Sequence, residues 1–323
     1  MTPKVSVIIT TYNHEQYIAE ALESVLNQTY QDFEIIIIND GSQDKTADIV
    51  QGYADRFPNK INFINNVVNE RPKLASNKGL AAARGEFIAF NDGDDKWYPT
   101  KLEKQMQVFD QDREERLGVV YCFGEQIMED SSRLRAPVVA NTIRGKVFKP
   151  LFYGAFFLKI AMVVRRSVIE QVGNFDMRYP LSGDYHFMLR VAAAGYEFDL
   201  VPEFLVVHRI HPWNESRDQL ESNRNNREML LDIASQYAEK IKEYEIDVDY
   251  RMAMLDLDLA WHYFVSGNLR SVRQTLTPVL RHYPSLLLKS KRYTAYYLLS
   301  FFPVSWVKLL ENIPFLAPIF RGK

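Results

Sequence analysis

Cysteine is nearly absent: Cys122 is the one in 323 residues. A lone thiol excludes an intramolecular disulfide and a multi-cysteine metal site, and its simplest reading is a reducing compartment. Long apolar runs are missing too. The most apolar late stretch, Thr294 to Val307, is 14 residues long and broken by Pro303, short of the ~20 that a spanning helix needs. MTPKVSVIITTYN offers one Lys and no small-residue cleavage site, so it does not read as a signal peptide. Neither G-x-G-x-x-G nor G-x-x-x-x-G-K-[ST] follows the first strand-like run, which counts against a dinucleotide fingerprint and a P-loop. A net charge of −2 gives no argument for a nucleic-acid partner. Low-complexity tracts and fixed-period repeats are also lacking.

What is present is an ordinary globular composition. Apolar residues make up 47% and charged residues 25%, enough for one large core or two modest ones. The charge is unevenly spread. Residues 268–323 hold nine Lys/Arg against one acid, Glu311, so the net −2 divides into +8 there and −10 over the rest. A basic, aromatic tail behind an acidic body points to an anionic surface.

Val5 to Thr10 (VSVIIT) and Phe33 to Ile38 (FEIIII) are apolar, β-branched runs, the pattern of strands covered on both faces. Residues 14–27 carry Ile18, Ala21, Leu22 and Val25 at helical spacing, and Asp44 opens a second helix with Ile49, Val50 and Tyr53. A strand at Ile61 to Ile64, a helix at Leu74 to Ala83 and a strand at Phe87 to Phe90 continue the alternation. Such alternation predicts a mostly parallel sheet with helices on both faces. Beyond it, strands are expected at 118–123, at Lys159 to Arg165, near 197–201 and at 204–210, with a loop at 129–145 and a helix at 183–194. From about Leu220 the chain reads as helix only, with one helix-turn-helix unit in 250–283. The expected domains are 1–217, of α/β class, and 218–323, helical with the basic-aromatic tail.

Three polar clusters follow strand ends and should line one rim. They are Thr10-Thr11-Tyr12-Asn13, Asn39-Asp40-Gly41-Ser42 and Asn91-Asp92-Gly93-Asp94-Asp95. Each has a plain structural reading. Asn13 would cap the first helix, Asp40 would form an Asx-type turn with Gly41 at positive φ, and Asp95 would cap a helix starting near Pro99. The last reading leaves Asp92 and Asp94 idle. Carboxylates in a D-x-D suit a hard divalent cation that keeps positions open for phosphate. Asp40 has the alternative of accepting a nucleobase N–H, and Tyr12 that of stacking on the base.

Taken together, VSVIITTYNHEQYIAEALESVLNQTYQDFEIIIINDGSQDKT and GLAAARGEFIAFNDGDD resemble the family-2 inverting glycosyltransferases of the GT-A fold. The likeness is close over about residues 4–102 and looser to about 216. It implies a GT-A α/β fold, a mixed, mostly parallel sheet flanked by helices, with the C-terminal helical region outside it. It also implies metal-dependent transfer of a hexosyl unit from a nucleotide-diphosphate donor, a UDP-sugar, to a hydroxyl of a glycan or lipid-linked acceptor in polysaccharide or glycolipid biosynthesis. Carried over position by position, Thr10, Tyr12, Asn13, Asp40, Asn77, Asp92 and Gly93 would hold the nucleotide. Asp94 would bind Mn²⁺ or Mg²⁺. Asp184, at a helix start, would be the general base, with capping of that helix as its structural alternative. Lys73, Arg209, His211 and Trp213 would reach the diphosphate or the acceptor.

The chain departs from the family pattern twice. Gly183 precedes Asp184 where the family usually has Glu. Ser76-Asn77-Lys78-Gly79 lacks an Arg that many members carry, a charge that Arg71, Lys73 or Lys78 would supply.

Two rival readings stand beside this one. A nucleotidyltransferase normally brings a Gly-rich, basic loop after its first strand, and TTYNHEQY is neither. The other rival is a catalytically inactive nucleotide-sugar-binding or scaffolding protein. The tail over 285–320, with Lys289, Lys291 and Arg292 beside Tyr293, Tyr296, Tyr297, Phe301, Phe302 and Trp306, would either lie on an anionic bilayer or pack as a helical or dimer contact. A cytoplasmic location is expected, peripheral on the membrane face in the first case.

Overall fold

The computed structural model describes residues 2–128, 134–135, 142–155, 157–214, 218–302 and 304. The chain divides into two compact units, residues 1–214 and 215–323.

The first unit opens with β1 (Val5–Thr11), α1 (Ile18–Leu26), β2 (Phe33–Asn39), α2 (Thr46–Arg56), β3 (Ile61–Asn65), α3 (Pro72–Ala82) and β4 (Phe87–Asp92). β1 pairs in parallel with β2 on one side and β4 on the other, and β2 pairs in parallel with β3. Every residue of β1 and β2 is buried. Both faces are apolar because helices cover both, so burial favours the continuous run over an alternating one.

The remainder adds β5 (Lys96–Trp97), α4 (Lys101–Gln111), β6 (Leu117–Met128), β7 (Leu134–Arg135), α5 (Phe148–Tyr153), β8 (Val163–Arg165), α6 (Arg166–Val172), α7 (Gly183–Ala193) and β9 (Glu197–Ile210). Strand order is β3-β2-β1-β4-β8-β6-β9-β5, with β7 beside β6. β8 runs antiparallel to β4 and β6, β9 is parallel to β6, and β5 is antiparallel to β9. The sheet is therefore mixed, as expected. The first helix of the chain leads to one neighbour of β1 and the later connections to the other, so β1 and β4 flank the switch point where such sheets bind ligands.

Several expectations need correction. Lys159–Ala161 is a 3₁₀ turn, and the strand begins only at Val163. The two strands expected at 197–201 and 204–210 are one, β9. Its register against β6 jumps from Cys122↔Val201 to Phe123↔Phe204, and the residues passed over include Pro202, which has no N–H for the ladder. α1 starts at Ile18, not at 14, because Asn13 takes a left-handed φ of 54° and the chain turns before the helix. Asparagine tolerates that region better than most residues. Most of the loop expected at 129–145 lies outside the described residues.

The second unit contains α8 (Gln219–Gln236), α9 (Ala238–Glu243), α10 (Val248–Val265), α11 (Leu269–His282), α12 (Pro284–Leu288) and α13 (Lys291–Leu299). α10 and α11 form the expected hairpin around a core of Ala260, Phe264, Val272, Leu276 and Tyr296. Side chains of Asp218, Asp247, Asn268 and Ser290 each accept a backbone N–H at a helix start, satisfying donors that the helix leaves unpaired. No described helix is long and apolar enough to cross a membrane. Residues 305–320 of the tail, Trp306 among them, lie outside the described residues.

Candidate active site

The carboxyl ends of β1, β2 and β4 are stitched into one rim. Asp40 N–H donates to Thr11 O (2.9 Å) and Gly93 N–H to Thr10 O (2.9 Å), while Thr10 Oγ1 donates to Asp92 Oδ1 (2.9 Å). Gly93 is required by this closeness: a Cβ there would stand 2.6 Å from Thr11 Cβ and 2.9 Å from His14 Nδ1. Gly41 has the expected positive φ. Asp40 is buried, and its Oδ1 accepts from Asn66 Nδ2 (3.0 Å) and Glu70 N (3.0 Å). Its Oδ2 is buried without a partner among the described residues. An ionised carboxylate oxygen left without a donor is costly unless a ligand supplies one. The Tyr12 ring is 40% exposed at the same rim.

Two expected nucleotide contacts look different in place. Asn13 accepts Gln43 N–H through Oδ1 (2.8 Å) and donates its own N–H to Ser42 Oγ (2.9 Å), so it fastens the rim and does not cap α1. Asn77 spends both ends of its amide on Phe175, donating to its carbonyl (2.9 Å) and accepting its N–H (3.0 Å). That clamp ties α3 to the segment leading into α7.

The three aspartates of FNDGDD face three different partners. Asp92 Oδ1 accepts from Lys159 Nζ (2.6 Å) as well as from Thr10. Asp95 does not cap α4, whose N-cap is Thr100; it takes Arg209 N–H (2.8 Å) and His208 Nδ1 (3.1 Å) from β9. Burial and the neighbouring Asp94 and Asp92 charges push Asp95 up to about 6, with His208 opposing. Burial disfavours a charged His208, yet Asp95 raises it to about 9.

Asp94 meets two other histidines, His14 and His211. Its Oδ2 lies 2.9 Å from His211 Nε2 and 3.8 Å from His14 Nε2, with Asn214 Nδ2 at 3.3 Å. Although burial pushes its carboxyl up, the His211 bond and the charges of His14, His211 and His208 hold it down at about 2. One ligand atom from each of His14, Asp94 and His211 falls within 4.8 Å of the others, the one such cluster among the described residues. Ligand atoms ~2.1 Å from one ion at right angles stand ~3 Å apart; Asp94 and His211 already have that spacing, and His14, 3.8 Å from Asp94, would have to close in.

Arg209 is engaged elsewhere. Its guanidinium holds Glu20 and the Asp94 carbonyl (Nε, 3.1 Å) and lies 4.9 Å from the Tyr17 ring centroid. It supports the Asp94 turn from beneath. Trp213, by contrast, is 83% exposed.

Asp184 sits in the first turn of α7, after Ser182, whose side chain makes no cap bond. Its side chain is 31% exposed, so a substrate hydroxyl has a path to it. Lys73 Nζ stands 3.6 Å from Asp184 Oδ1. Burial raises this carboxyl, but the Lys73 and Lys159 charges outweigh it and the net shift is downward. Lys159 thus serves two carboxylates, Asp92 by hydrogen bond and Asp184 by charge.

Sequence reasoning passed over His14 and Lys159. The available signals were slight: a histidine directly after the first rim motif, and a single lysine within the apolar stretch FFLKIAMVV.

A parallel rim bearing a D-x-D beside a helix-borne carboxylate defines a GT-A-type transferase fold, and solved structures share it. Staphylococcus aureus TarS 1–349 in complex with UDP superposes with a TM-score of 0.56 at 18% identity, covering 89% of this chain and 75% of that one. The mannosyltransferase PcManGT of Pyrobaculum calidifontis, in complex with GDP-Man and Mn²⁺, gives 0.56 at 18% identity over 97% of this chain and 88% of that one. Residues 6–173 match the family model described as Glycosyl transferase family 2. The chain belongs to that family and is a glycosyltransferase. An uncharacterized glycosyltransferase of Methanocaldococcus jannaschii is 31% identical over 64% of this chain and 71% of its own length. Bacillus subtilis TuaG, named for teichuronic acid biosynthesis, is 42% identical over 32% of this chain and 41% of its own.

Proposed function

We propose that this cleft transfers a sugar from a nucleotide-diphosphate donor, a UDP-sugar, to an acceptor hydroxyl with inversion at the anomeric carbon. The observation that carries the reading is Lys159. One buried ammonium bonds Asp92 of the D-x-D and lowers Asp184 by its charge, which supports a donor rim and a base working together.

In this reading the unpartnered Asp40 Oδ2 accepts a base N–H, Tyr12 stacks on the ring, and Asp92 faces the ribose. Asp94 and His211 hold a divalent cation. Such an ion, when bound, neutralises negative charge on the diphosphate. Asp184 accepts the acceptor hydroxyl's proton as its oxygen bonds to the anomeric carbon and the bond to the diphosphate breaks on the opposite face. Lys73 and Lys159 keep that carboxylate ionised. Trp213 offers an exposed aromatic face to an acceptor sugar.

The name of TuaG and the TarS–UDP complex support an acceptor in cell-envelope polysaccharide synthesis and a uridine donor. We further propose that the second unit lies on the cytoplasmic face of a membrane near a lipid-linked acceptor. Leu298, Phe301, Phe302 and Val304 are exposed beside Lys289 and Lys291, a pattern suited to an anionic interface.

Calorimetric titration of UDP, GDP and CMP, each with and without Mn²⁺, tests the donor reading on wild type and Asp94→Ala. UDP binding that needs the metal and is lost in the variant supports it. Absence of nucleotide binding under every condition overturns it.

A further inference from the structure

We propose that His14 completes a three-donor protein site with Asp94 and His211, one that takes a first-row transition-metal ion such as Mn²⁺ in preference to Mg²⁺ and takes it before the nucleotide arrives. This rests on the metal-assisted reading above and concerns which ion is bound and when.

Mg²⁺ favours oxygen ligands and near-ideal octahedral geometry, whereas imidazole nitrogen suits transition metals. FNDGDD looks like an all-oxygen site, but tertiary contacts engage Asp92 Oδ1 and both oxygens of Asp95. Asp92 is held by Thr10 and Lys159, and Asp95 by His208 and Arg209 N–H. Asp94 alone is left facing His14 and His211. The site becomes two nitrogens and one oxygen.

The site is also preorganised. Three elements deliver the three donors: the turn after β1, the turn after β4 and the end of β9. Each is braced. Thr11 Oγ1 lies 3.3 Å from His14 Nδ1, the far ring nitrogen, leaving Nε2 toward Asp94. The His211 ring stacks on Tyr17 with centroids 5.3 Å apart, and the His211 backbone N–H donates to Asn214 Oδ1 (2.6 Å). Arg209 Nε fixes the Asp94 carbonyl. Braced ligands lose little freedom on binding, so three protein donors hold an ion without help from a diphosphate.

The test is Mn²⁺ titration of metal-stripped, nucleotide-free protein, followed by the electron paramagnetic resonance signal of free Mn²⁺. One ion should bind without nucleotide and resist displacement by a ~100-fold excess of Mg²⁺. His14→Ala should weaken Mn²⁺ more than ~10-fold and bring the two ions closer in affinity. His14→Gln, which keeps side-chain size and a hydrogen-bonding group beside Thr11, should weaken it similarly with an unchanged melting temperature. Mn²⁺ binding only with UDP present, ready displacement by Mg²⁺, or His14 variants equal to wild type would each overturn the proposal. Those results leave the donor reading standing if Asp94→Ala still abolishes metal-dependent UDP binding.

Discussion

Lys73 Nζ lies 3.6 Å from Asp184 Oδ1, and the lysine stem crosses α7 at the one residue without a side chain. A Cβ on Gly183 would stand 3.1 Å from Lys73 Cε, 3.2 Å from Cδ and 3.3 Å from Cγ. Glycine at 183 and lysine at 73 therefore form one arrangement. A side chain at 183 would press on that stem, which would have to give by a few tenths of an ångström.

A pH dependence follows from that pair. The Asp184 pKa is lowered, with Lys73 and Lys159 overcoming burial. A depressed carboxylate is an ionised base above its pKa and loses that role as pH falls through it. Wild-type kcat/KM should hold steady down to below the ordinary Asp range of ~3.9. Lys73→Met removes one cation, raises the pKa and moves the acid limb to higher pH; Gly183→Ala should move it the same way by less. An unmoved limb in Lys73→Met would separate Lys73 from the base.

Asp184→Asn keeps the shape and removes the proton acceptor. Turnover should fall by roughly 10²–10⁴-fold, with UDP affinity unchanged by calorimetry. Unchanged turnover would show that Asp184 is not the base.

Gly79 marks where α3 presses on the sheet. A Cβ there would meet Ile8 Cγ2 at 2.5 Å and Ile38 Cδ1 at 2.9 Å, inside a core with no slack. Gly79→Ala should destabilise the first unit by about 1–3 kcal/mol through overpacking, read as a lower denaturation midpoint. A midpoint at or above that of wild type would contradict such tight packing.

The exposed aromatic pair of the second unit gives a membrane test. Phe301→Ser with Phe302→Ser should reduce sedimentation of full-length protein with vesicles containing anionic lipid, and added salt should reduce wild-type binding. Equal partitioning of the two proteins would count against a membrane role.

The helix-strand alternation, the mixed sheet and the rim were legible because local pattern suffices for them. Buried parallel strands must be apolar on both faces, as VSVIIT and FEIIII are, and polar clusters at the ends of parallel neighbours must meet. Asp95 was misread because an acid before a proline is a good local cap signal, yet its partners on β9 are more than a hundred residues away. Arg209 carried the charge expected of a phosphate contact, but Glu20 and the Asp94 carbonyl had a prior claim on it. The break at Pro202 suggested two strands, whereas β9 runs on and shifts register against β6.

The sequence by itself determined the sheet, the family and the presence of acids at its rim, since hydrophobic period and motif spacing are properties of the chain. Only the tertiary structure decided which of the three aspartates faces His14 and His211, and that Lys159 bonds Asp92 and lowers Asp184 by its charge. Those outcomes depend on which distant cation or N–H reaches each carboxylate first. Burial makes each such pairing exclusive, because an ionised oxygen withdrawn from water must be met by a specific donor, and no local pattern names it.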